Sequence, residues 1–241
     1  MKKYFEYPFN SEIEKKLINF YNNTSIRQHG DDQDKKMEIK LNRLNTLYNF
    51  SANDNVLDIG CSKGLFLRKI ENQINYGVGI DISKKVIEEN RKQYTTEKLS
   101  FFDFDGKNIP NVVKASVIVM LDVLEHAFEP DALINSVGKI ANQDTAIIIE
   151  VPFSGWFSEM IAGKYHEGHL RYYDTEYLRK YLTDHGFTVE KIKTYNSVMF
   201  SGFFTKYNFL WKILNYLVNL VPSRFYPYFG EIILLARKNE K

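Results

Sequence analysis

Val56-Leu57-Asp58-Ile59-Gly60-Cys61-Ser62-Lys63-Gly64 is the stretch of this sequence that decides the fold. A short apolar run ends in a turn that carries Gly60 and Gly64, and the amphipathic stretch 65–70 follows at once. A strand that ends in a glycine-bearing turn at a helix N-terminus lets the backbone approach a ligand closely and points amide groups at it. We therefore predict that this turn binds a nucleotide-like ligand.

The spacing of the two glycines argues against a dinucleotide. The dinucleotide fingerprint has three glycines spaced G-x-G-x-x-G, whereas this turn has G-x-x-x-G. Asp58 lies two residues before the first glycine. Its carboxylate would lie unfavourably close to the phosphates of a dinucleotide, whereas it would balance the charge of an ammonium group directly or through water. A ligand with a zwitterionic amino-acid tail therefore suits the turn better than a phosphate. The alternative is a glycine turn in which Asp58 only caps the helix.

A second acidic residue ends the next predicted strand. Asp81 lies 21 positions after Gly60, and a carboxylate at this place can accept hydrogen bonds from both hydroxyls of an adenosine ribose. The position does not distinguish one adenosine cofactor from another. The alternative is that Asp81 or Ser83 simply caps the helix predicted over 84–93.

Short apolar runs continue along the chain and alternate with helical stretches. Asp174 and Gly186 are typical of the first and last positions of one of these helices. Strands that alternate with helices predict a parallel sheet with helices on both faces and right-handed crossovers, in one domain over residues 53–241. Seven runs predict strands: 56–59, 76–80, 99–102, 116–121, 145–151, 187–195 and 230–236.

Residues 1–52 predict an N-terminal helical extension that would lie as a lid on the substrate side of the domain. Ser11 and Glu14 form a capping box at the start of a first helix. Apolar residues at helical spacing predict a second helix over about 35–50, and the polar stretch 24–33 predicts a loop between the two.

The composition of the chain excludes several kinds of partner and of structural site. The 32 basic and 30 acidic residues give a formal net charge of +2 and are spread along the chain, so no nucleic-acid partner is expected. Cys61 is the single cysteine, which excludes an intramolecular disulfide and a multi-cysteine zinc site. The N-terminus lacks the pattern of a signal peptide, and no apolar run reaches the roughly 18 residues of a membrane span. We therefore expect a cytoplasmic location.

Residues 197–228 form an aromatic-rich insertion between the last two predicted strands. As a helix, 208–221 would be apolar on nearly every side, with polar residues along one narrow stripe only, so it must be covered. The domain's own core or a homodimer would cover it, and so would a lipid-linked substrate or a peripheral membrane contact through 203–221.

From these motifs onward the chain resembles the class I methyltransferases that depend on S-adenosylmethionine (SAM), over about residues 53–236. The family's first motif matches residues 56–64, and its acidic ribose position falls on Asp81. Its third motif, an acidic residue about five positions before a proline, falls on Asp105 with Pro110 and meets the adenine amino group in the family. Asp103 is a rival for that contact, and Phe104 or Ile82 would flank the ring.

The resemblance implies a Rossmann-like fold with SAM as the cofactor. The expected sheet has seven strands and is mostly parallel, with an antiparallel last strand. The residues expected to bind the cofactor are Asp58, Gly60, Cys61, Ser62, Gly64, Asp81, Ile82, Asp105, Gly106, Leu121 and Asp122.

The family's next signature, an apolar strand running into D-x-L-E-H and a proline, matches residues 117–126 and Pro130. If this segment were helical, Asp122, Glu125 and His126 would share one face and could hold a divalent cation, as a comparable arrangement does in ubiquinone-type relatives. In many metal-free members with this signature, Asp122 lines the methionine side and Glu125 with His126 orders the turn. We expect no metal here, and this structural role is the alternative to a base role for His126. The family's aspartate at the start of the strand is replaced by Ala115-Ser116.

The run 166–173 resembles a subgroup of small-molecule methyltransferases that includes ubiquinone-type O-methyltransferases and enzymes acting on sugars or polyketides. In this fold the loop after the fifth strand lies over the carboxyl edge of the sheet, where ligands bind. A histidine is a suitable base for a hydroxyl acceptor at neutral pH. The candidates are His126, His169 and, less favoured, His166. An ordinary salt bridge or cap is the alternative for His169 and Arg171. The resulting catalytic set is His126, His169, Arg171 and Tyr172.

These features predict an enzyme that transfers a methyl group from SAM to a small molecule. The acceptor is expected to be a hydroxyl of a sugar, lipid-linked or natural-product intermediate. N- or C-methylation and a non-catalytic SAM-binding protein are the alternatives, and a nicotinamide oxidoreductase is disfavoured by the missing third glycine.

Overall fold

The computed structural model describes residues 5–6, 31–153, 170–196 and 230–240. Its strands are β1 (Phe5–Glu6), β2 (Asn55–Ile59), β3 (Tyr76–Asp81), β4 (Leu99–Asp103), β5 (Val117–Leu121), β6 (Ala146–Phe153), β7 (Arg171–Tyr172), β8 (Phe187–Asn196) and β9 (Gly230–Lys238). Its helices are α1 (Asp31–Leu44), α2 (Leu65–Ile70), α3 (Lys84–Gln93), α4 (Pro130–Ile140) and α5 (Thr175–Asp184).

Seven of the strands form one sheet in the order β4-β3-β2-β5-β6-β9-β8. The pairs among β2 to β6 are parallel, and β9 runs antiparallel to both of its neighbours. This arrangement confirms the predicted mostly parallel sheet with an antiparallel last strand. The short strands β1 and β7 pair separately, with Phe5 opposite Tyr172.

Helices cover both faces of the sheet, as predicted. On one face Leu44, Leu67 and Ile87 bring α1, α2 and α3 into one buried cluster. On the other face Leu133 of α4 and Leu178 of α5 belong to a second cluster. Both faces of the central strands are therefore removed from water, which accounts for their nearly continuous apolar sequences.

The predicted strands agree with the structure to within one or two residues at each end, but both boundaries of one predicted helix are wrong. The second N-terminal helix begins at Asp31 and ends at Leu44, so it lies earlier than the predicted 35–50 and includes the end of the predicted loop. After the helix, the Leu44 carbonyl accepts from both the Leu47 and Tyr48 amides, so a single turn follows it. Leu47 is buried after that turn, so the apolar spacing continues without a helix.

Three predictions lie outside the described residues: the helix that begins near Ser11, the loop carrying His166 and His169, and most of the insertion over 197–228. None of the helices that the structure describes is long and apolar enough to cross a membrane.

The strand order places the reversal of the sheet between β2 and β5. The chain runs outward from β2 through β3 to β4 and then returns to β5 on the other side of β2. Ligands of open α/β sheets bind at the carboxyl ends of the strands next to such a reversal. The turn after Ile59, Asp81 and Asp122 all lie at these strand ends.

Candidate active site

The glycine turn after β2 requires both of its glycines. Gly60 and Gly64 have φ angles of 74° and 67°. A Cβ added to Gly60 would lie 2.6 Å from a methyl group of Val123, and one added to Gly64 would lie 2.7 Å from the Phe101 ring. Left-handed backbone and close packing thus both exclude a side chain here.

The amide groups of this turn are used within the protein. The Gly60 and Cys61 amides both donate to the Ile80 carbonyl, at 2.8 and 3.0 Å, and the Gly64 amide donates to the Cys61 carbonyl at 2.8 Å. The expectation that these amides would point freely at a ligand is therefore wrong for these three residues. The two hydrogen bonds to Ile80 fix the turn to the end of β3.

Asp81 joins the end of β3 to the glycine turn. Its Oδ2 accepts from the Ser62 amide and its Oδ1 from the Ser83 amide, both at 2.9 Å. Ser83 is the N-cap of α3 but makes no side-chain cap bond. Burial raises the pKa of Asp81, and the amide hydrogen bonds oppose that rise.

Asp58 lies inside β2 and is buried. Burial is the main cause that raises the pKa of its carboxyl well above the ordinary value, and the neighbouring Asp81 adds to it. Two carboxylates thus stand close together beneath the glycine turn.

Asp103 and Asp105, the two candidates for the adenine contact, both accept hydrogen bonds from other residues of the protein. Asp103 accepts from Arg91 at 3.0 Å near the surface. Asp105 accepts from the amides of Lys107 and Asn108 at 2.8 and 2.6 Å, and these bonds lower its pKa against the effect of burial.

Ile82 and Gly106 lie side by side next to these carboxylates. A Cβ on Gly106, whose φ is 84°, would lie 3.4 Å from Ile82 Cγ2. Ile82, one of the two residues expected to flank the adenine, therefore lies against Gly106, another residue expected to bind the cofactor.

The segment after β5 is a turn and not a helix. Asp122 has a φ of 54°, its amide donates to the Glu150 carbonyl at 3.0 Å, and the His126 amide donates to the Val123 carbonyl. The helical premise of the metal alternative is therefore wrong, because the left-handed Asp122 breaks the i, i+3, i+4 face. Among the described residues, no group of three or more metal-binding side chains is arranged to hold an ion.

A lysine from α1 reaches the carboxyl ends of β5 and β6. The Lys40 ammonium donates to Asp122 Oδ2 at 2.7 Å and to Glu150 Oε2 at 2.6 Å. The side chain of Glu150 is fully buried and that of Lys40 is 16% exposed. Burial by itself would lower the pKa of Lys40, but the charges of Glu150 and Asp122 outweigh it and raise the pKa.

Neither Lys40 nor Glu150 was among the residues predicted from the sequence. The available signal was one glutamate inside the otherwise apolar strand Ala-Ile-Ile-Ile-Glu-Val-Pro-Phe. Charged residues are almost never fully buried unless they are paired, so that glutamate indicated a distant partner.

Glu125 is fully buried just behind Asp122. Neither of its carboxylate oxygens has a hydrogen-bond partner within the part of the chain that the structure describes. His126 Nε2 lies 3.8 Å from its Oε1. Burial is the main cause that raises the pKa of Glu125 well above the ordinary value, and the charge of Asp122 adds to it.

Arg171 is buried and holds the turn after β5 in place. Its guanidinium donates to the carbonyls of Ala127 and Phe128, the latter at 3.4 Å. These contacts are those of a positioning residue, which corrects the prediction that Arg171 belongs to the catalytic set. The structure describes only the backbone of Tyr172, which pairs with β1.

This sheet order, with a glycine turn after the first strand of the sheet and an acidic residue at the end of the second, defines the fold of the class I SAM-dependent methyltransferases. Residues 26–192 match the family model described as a methyltransferase domain. The chain belongs to this family and is a SAM-dependent methyltransferase. No curated protein sequence matches the chain significantly.

Solved structures share the fold at low sequence identity. Magnesium protoporphyrin IX methyltransferase from Synechocystis PCC 6803, solved with bound SAH, is 17% identical with a TM-score of 0.62, over 94% of this chain and 100% of that chain. A chain of the complex between the Haloferax volcanii Trm112 methyltransferase activator and a methyltransferase is 18% identical with a TM-score of 0.65, over 91% and 98%.

The fold also hosts other chemistry. The [4+2]-cyclase SpnF is 15% identical with a TM-score of 0.62, over 95% of this chain and 94% of that chain. The likeness of these structures therefore describes the fold, and the acceptor must be argued from the site.

Proposed function

We propose that this enzyme transfers the methyl group of SAM to a hydroxyl of a small molecule such as a sugar or a natural-product intermediate. The acceptor oxygen attacks the methyl carbon in line with the sulfonium, so that a C–O bond forms as the C–S bond breaks. The electron pair stays on sulfur, and the hydroxyl proton passes to a base. Positioning supplies much of the rate acceleration in such a displacement.

The cofactor would lie across the carboxyl ends of β2, β3 and β5. Asp81 would hold the ribose, the pair Ile82 and Gly106 would flank the adenine, and Asp58 with Asp122 would lie near the methionine part. The observation that carries this proposal is the placement of Asp81 and Asp122 on either side of the glycine turn at the reversal of the sheet.

His126 is the base that the described residues favour. Its side chain is 22% exposed in the turn after β5, and its Nε2 lies near the buried Glu125 carboxyl. An imidazole that is reachable from solvent and has a carboxyl neighbour is suited to accept a proton at neutral pH. His169 remains a second candidate, with Tyr172 as a substrate contact.

Isotope transfer tests the proposal. The protein is incubated with SAM carrying a labelled methyl group and with panels of hydroxylated sugars, phenols and amines, and labelled products are identified by mass spectrometry. We expect label in hydroxylated acceptors, and a loss of about 10² to 10⁴ in rate for His126→Ala. His185→Ala is the control, since His185 ends α5 and bonds to the Tyr181 carbonyl. Label in amines only would favour N-methylation, and SAM binding without transfer would favour a non-catalytic role.

The insertion carries a separate part of the proposal. Its apolar sequence over 203–221 would contact a lipid-linked acceptor, a membrane surface or a second copy of the chain. The variant Phe209→Ser/Trp211→Ser/Leu217→Ser distinguishes these contacts. Weaker vesicle flotation would indicate a membrane or lipid contact, and loss of the dimer in sedimentation equilibrium would indicate a second copy. A lower melting temperature with neither change would indicate burial in the domain.

A further inference from the structure

Three carboxylates and one ammonium meet at the carboxyl ends of β5 and β6. Lys40 bridges Asp122 and Glu150, and the charge of Asp122 acts on both Glu125 and Glu150. The nearby Arg43 has its own partner in Glu231 of β9. We call Lys40, Asp122, Glu125 and Glu150 the acidic cluster.

The acidic cluster contains buried oxygens that the described residues leave unsatisfied. Both carboxylate oxygens of Glu125 and the Oε1 of Glu150 have no hydrogen-bond partner in the described ranges. Both side chains are fully buried. A buried polar group left unpaired costs about 1 to 3 kcal/mol, and more if it is charged, so three such atoms together point to a ligand that pairs with them.

The charges of the acidic cluster indicate that the missing partner is a cation. With its three carboxylates ionised, the cluster would hold one positive charge against three negative ones. Among the described residues, no three His, Cys, Asp or Glu side chains are arranged to hold a metal ion, which favours an organic cation. Asp122 is 43% exposed and gives the cluster a side that solvent and ligand can reach.

We propose that Asp122, Glu125 and Glu150 form a subsite for an organic cation, the sulfonium or ammonium centre of a ligand. This proposal rests on the methyltransferase function, which offers two sources of such a cation. One is the sulfonium of SAM, which becomes a neutral thioether in SAH, and the other is a protonated amine on the acceptor. In both cases the cation adds its charge beside Lys40 and brings the cluster closer to neutrality.

Cation binding is linked to proton release. Burial raises the pKa of Glu125 and of Glu150, so both carboxyl groups take up protons more readily than they would in water. A bound cation favours the ionised carboxylates, and the displaced protons pass to the buffer. Asp58 and Asp81 also lie in the site, but they would respond alike to SAM and SAH.

Calorimetry with SAM and SAH tests the sulfonium source. Each is titrated in two buffers of different ionisation enthalpy, which gives both the dissociation constant and the protons released. We expect SAM to bind at least about tenfold more tightly than SAH and to release more protons, since an opposite charge within about 4–6 Å shifts a carboxylate pKa by 1–3 units. Glu125→Gln and Glu150→Gln should remove most of both differences, and the exposed Glu129→Gln in the same loop should not.

Methylammonium chloride tests the ammonium source. We expect it to raise the melting temperature of the SAH-bound or ligand-free protein more than potassium chloride does, and the two glutamine variants to lose this effect. A response in either arm that depends on Glu125 and Glu150 supports the subsite and identifies its cation. If folded glutamine variants behave like the wild type in both arms, the subsite is refuted. If SAM and SAH both fail to bind the wild type, the proposed function fails, and the methylammonium arm on the ligand-free protein still decides the subsite.

Discussion

The carboxyl edge of the sheet holds its carboxylates in two different ways. In the glycine-turn half, formed by the ends of β2 and β3, Asp81 accepts from the amides of Ser62 and Ser83. In the lysine half, formed by the ends of β5 and β6, Asp122 and Glu150 accept from a lysine that comes from α1. The amide hydrogen bonds form together with the glycine turn, whereas Lys40 reaches its partners only after α1 has packed against the sheet. The first half therefore depends on the pairing of two neighbouring strands, at 19 positions from Ser62 to Asp81, and the second on packing between residues 82 and 110 positions apart.

The largest difference between the halves should appear when Lys40 is removed. Lys40→Met leaves the buried Glu150 without its ammonium, and breaking a buried pair by deleting one partner costs about 3 to 5 kcal/mol. We expect a loss of this size in the free energy of unfolding, measured by urea denaturation. The double variant Lys40→Met/Glu150→Gln should recover much of the loss, because no charge is then left buried at residue 150.

Lys69 of α2 provides a control at a different contact of α1. Its ammonium pairs with Asp34 of α1 at 2.8 Å near the surface. Exposed ion pairs contribute little to stability, so Lys69→Met should change the unfolding midpoint slightly. If both lysine variants lost the same stability, the lysine half would depend on general helix docking and not on the buried pair.

The lysine half should also make stability depend on pH. Glu125 has a folded-state pKa well above its ordinary value of 4.5 because of burial and the charge of Asp122. Above pH 4.5 the unfolded chain gives up this proton while the folded protein keeps it, so the folded protein binds more protons and stability falls as pH rises toward the folded pKa. Asp122, Glu150, Lys40 and His126 surround the group.

Melting temperatures measured from pH 5 to pH 8 check this sign. The wild type should lose stability over this range, and Glu125→Gln should lose less because it has no proton to release. Glu129→Gln serves as the exposed control and should follow the wild type. A steeper fall for Glu125→Gln would mean that the sign assigned to Glu125 is wrong.

In the glycine-turn half, the packing around Gly64 gives the next effect. Gly64→Ala puts a methyl group against the buried Phe101 ring in a backbone with positive φ. Gly186→Ala has a similar φ of 83° but meets no atom within 4 Å. The two variants share the left-handed backbone cost, so their difference in unfolding free energy isolates overpacking, at about 1 to 3 kcal/mol. Equal losses would show that Phe101 moves aside.

The same contrast explains how much could be predicted from the sequence. The seven strands, the parallel pairing of most of them and the acidic residue at the end of β3 follow from short-range patterns, namely apolar runs, a glycine turn and a carboxylate at a fixed spacing. The antiparallel last strand is implied only by the resemblance to the family. The amide contacts of the turn were not predicted, since hydrogen bonds across neighbouring strands depend on the register of β2 and β3.

Most contacts of the lysine half could not be predicted from the sequence. Lys40 and Glu150 are 110 positions apart, and no periodicity joins them. The segment from Asp122 to His126 carries a spacing that fits a helix, but the positive φ of Asp122 ends that possibility. Arg171 had the charge of a substrate contact, and only its burial against backbone carbonyls shows its positioning role.

The smallest effect we predict separates two roles of Asp81, support of the glycine turn and contact with the ribose. Asp81→Asn keeps one acceptor oxygen and loses the charge, and we expect SAH affinity to fall about tenfold, because hydrogen bonds to a charged acceptor are worth about 1.5 to 3 kcal/mol. Calorimetry is repeated with an SAH analogue that lacks both ribose hydroxyls. Loss of turn support would weaken both ligands equally, whereas loss of a ribose contact would weaken SAH alone. Asp103→Asn, which breaks only the surface pair with Arg91, should leave both affinities unchanged unless Asp103 makes the adenine contact. Equal weakening of the two ligands by Asp81→Asn would remove Asp81 from the ribose site and leave it as the residue that ties the glycine turn to β3.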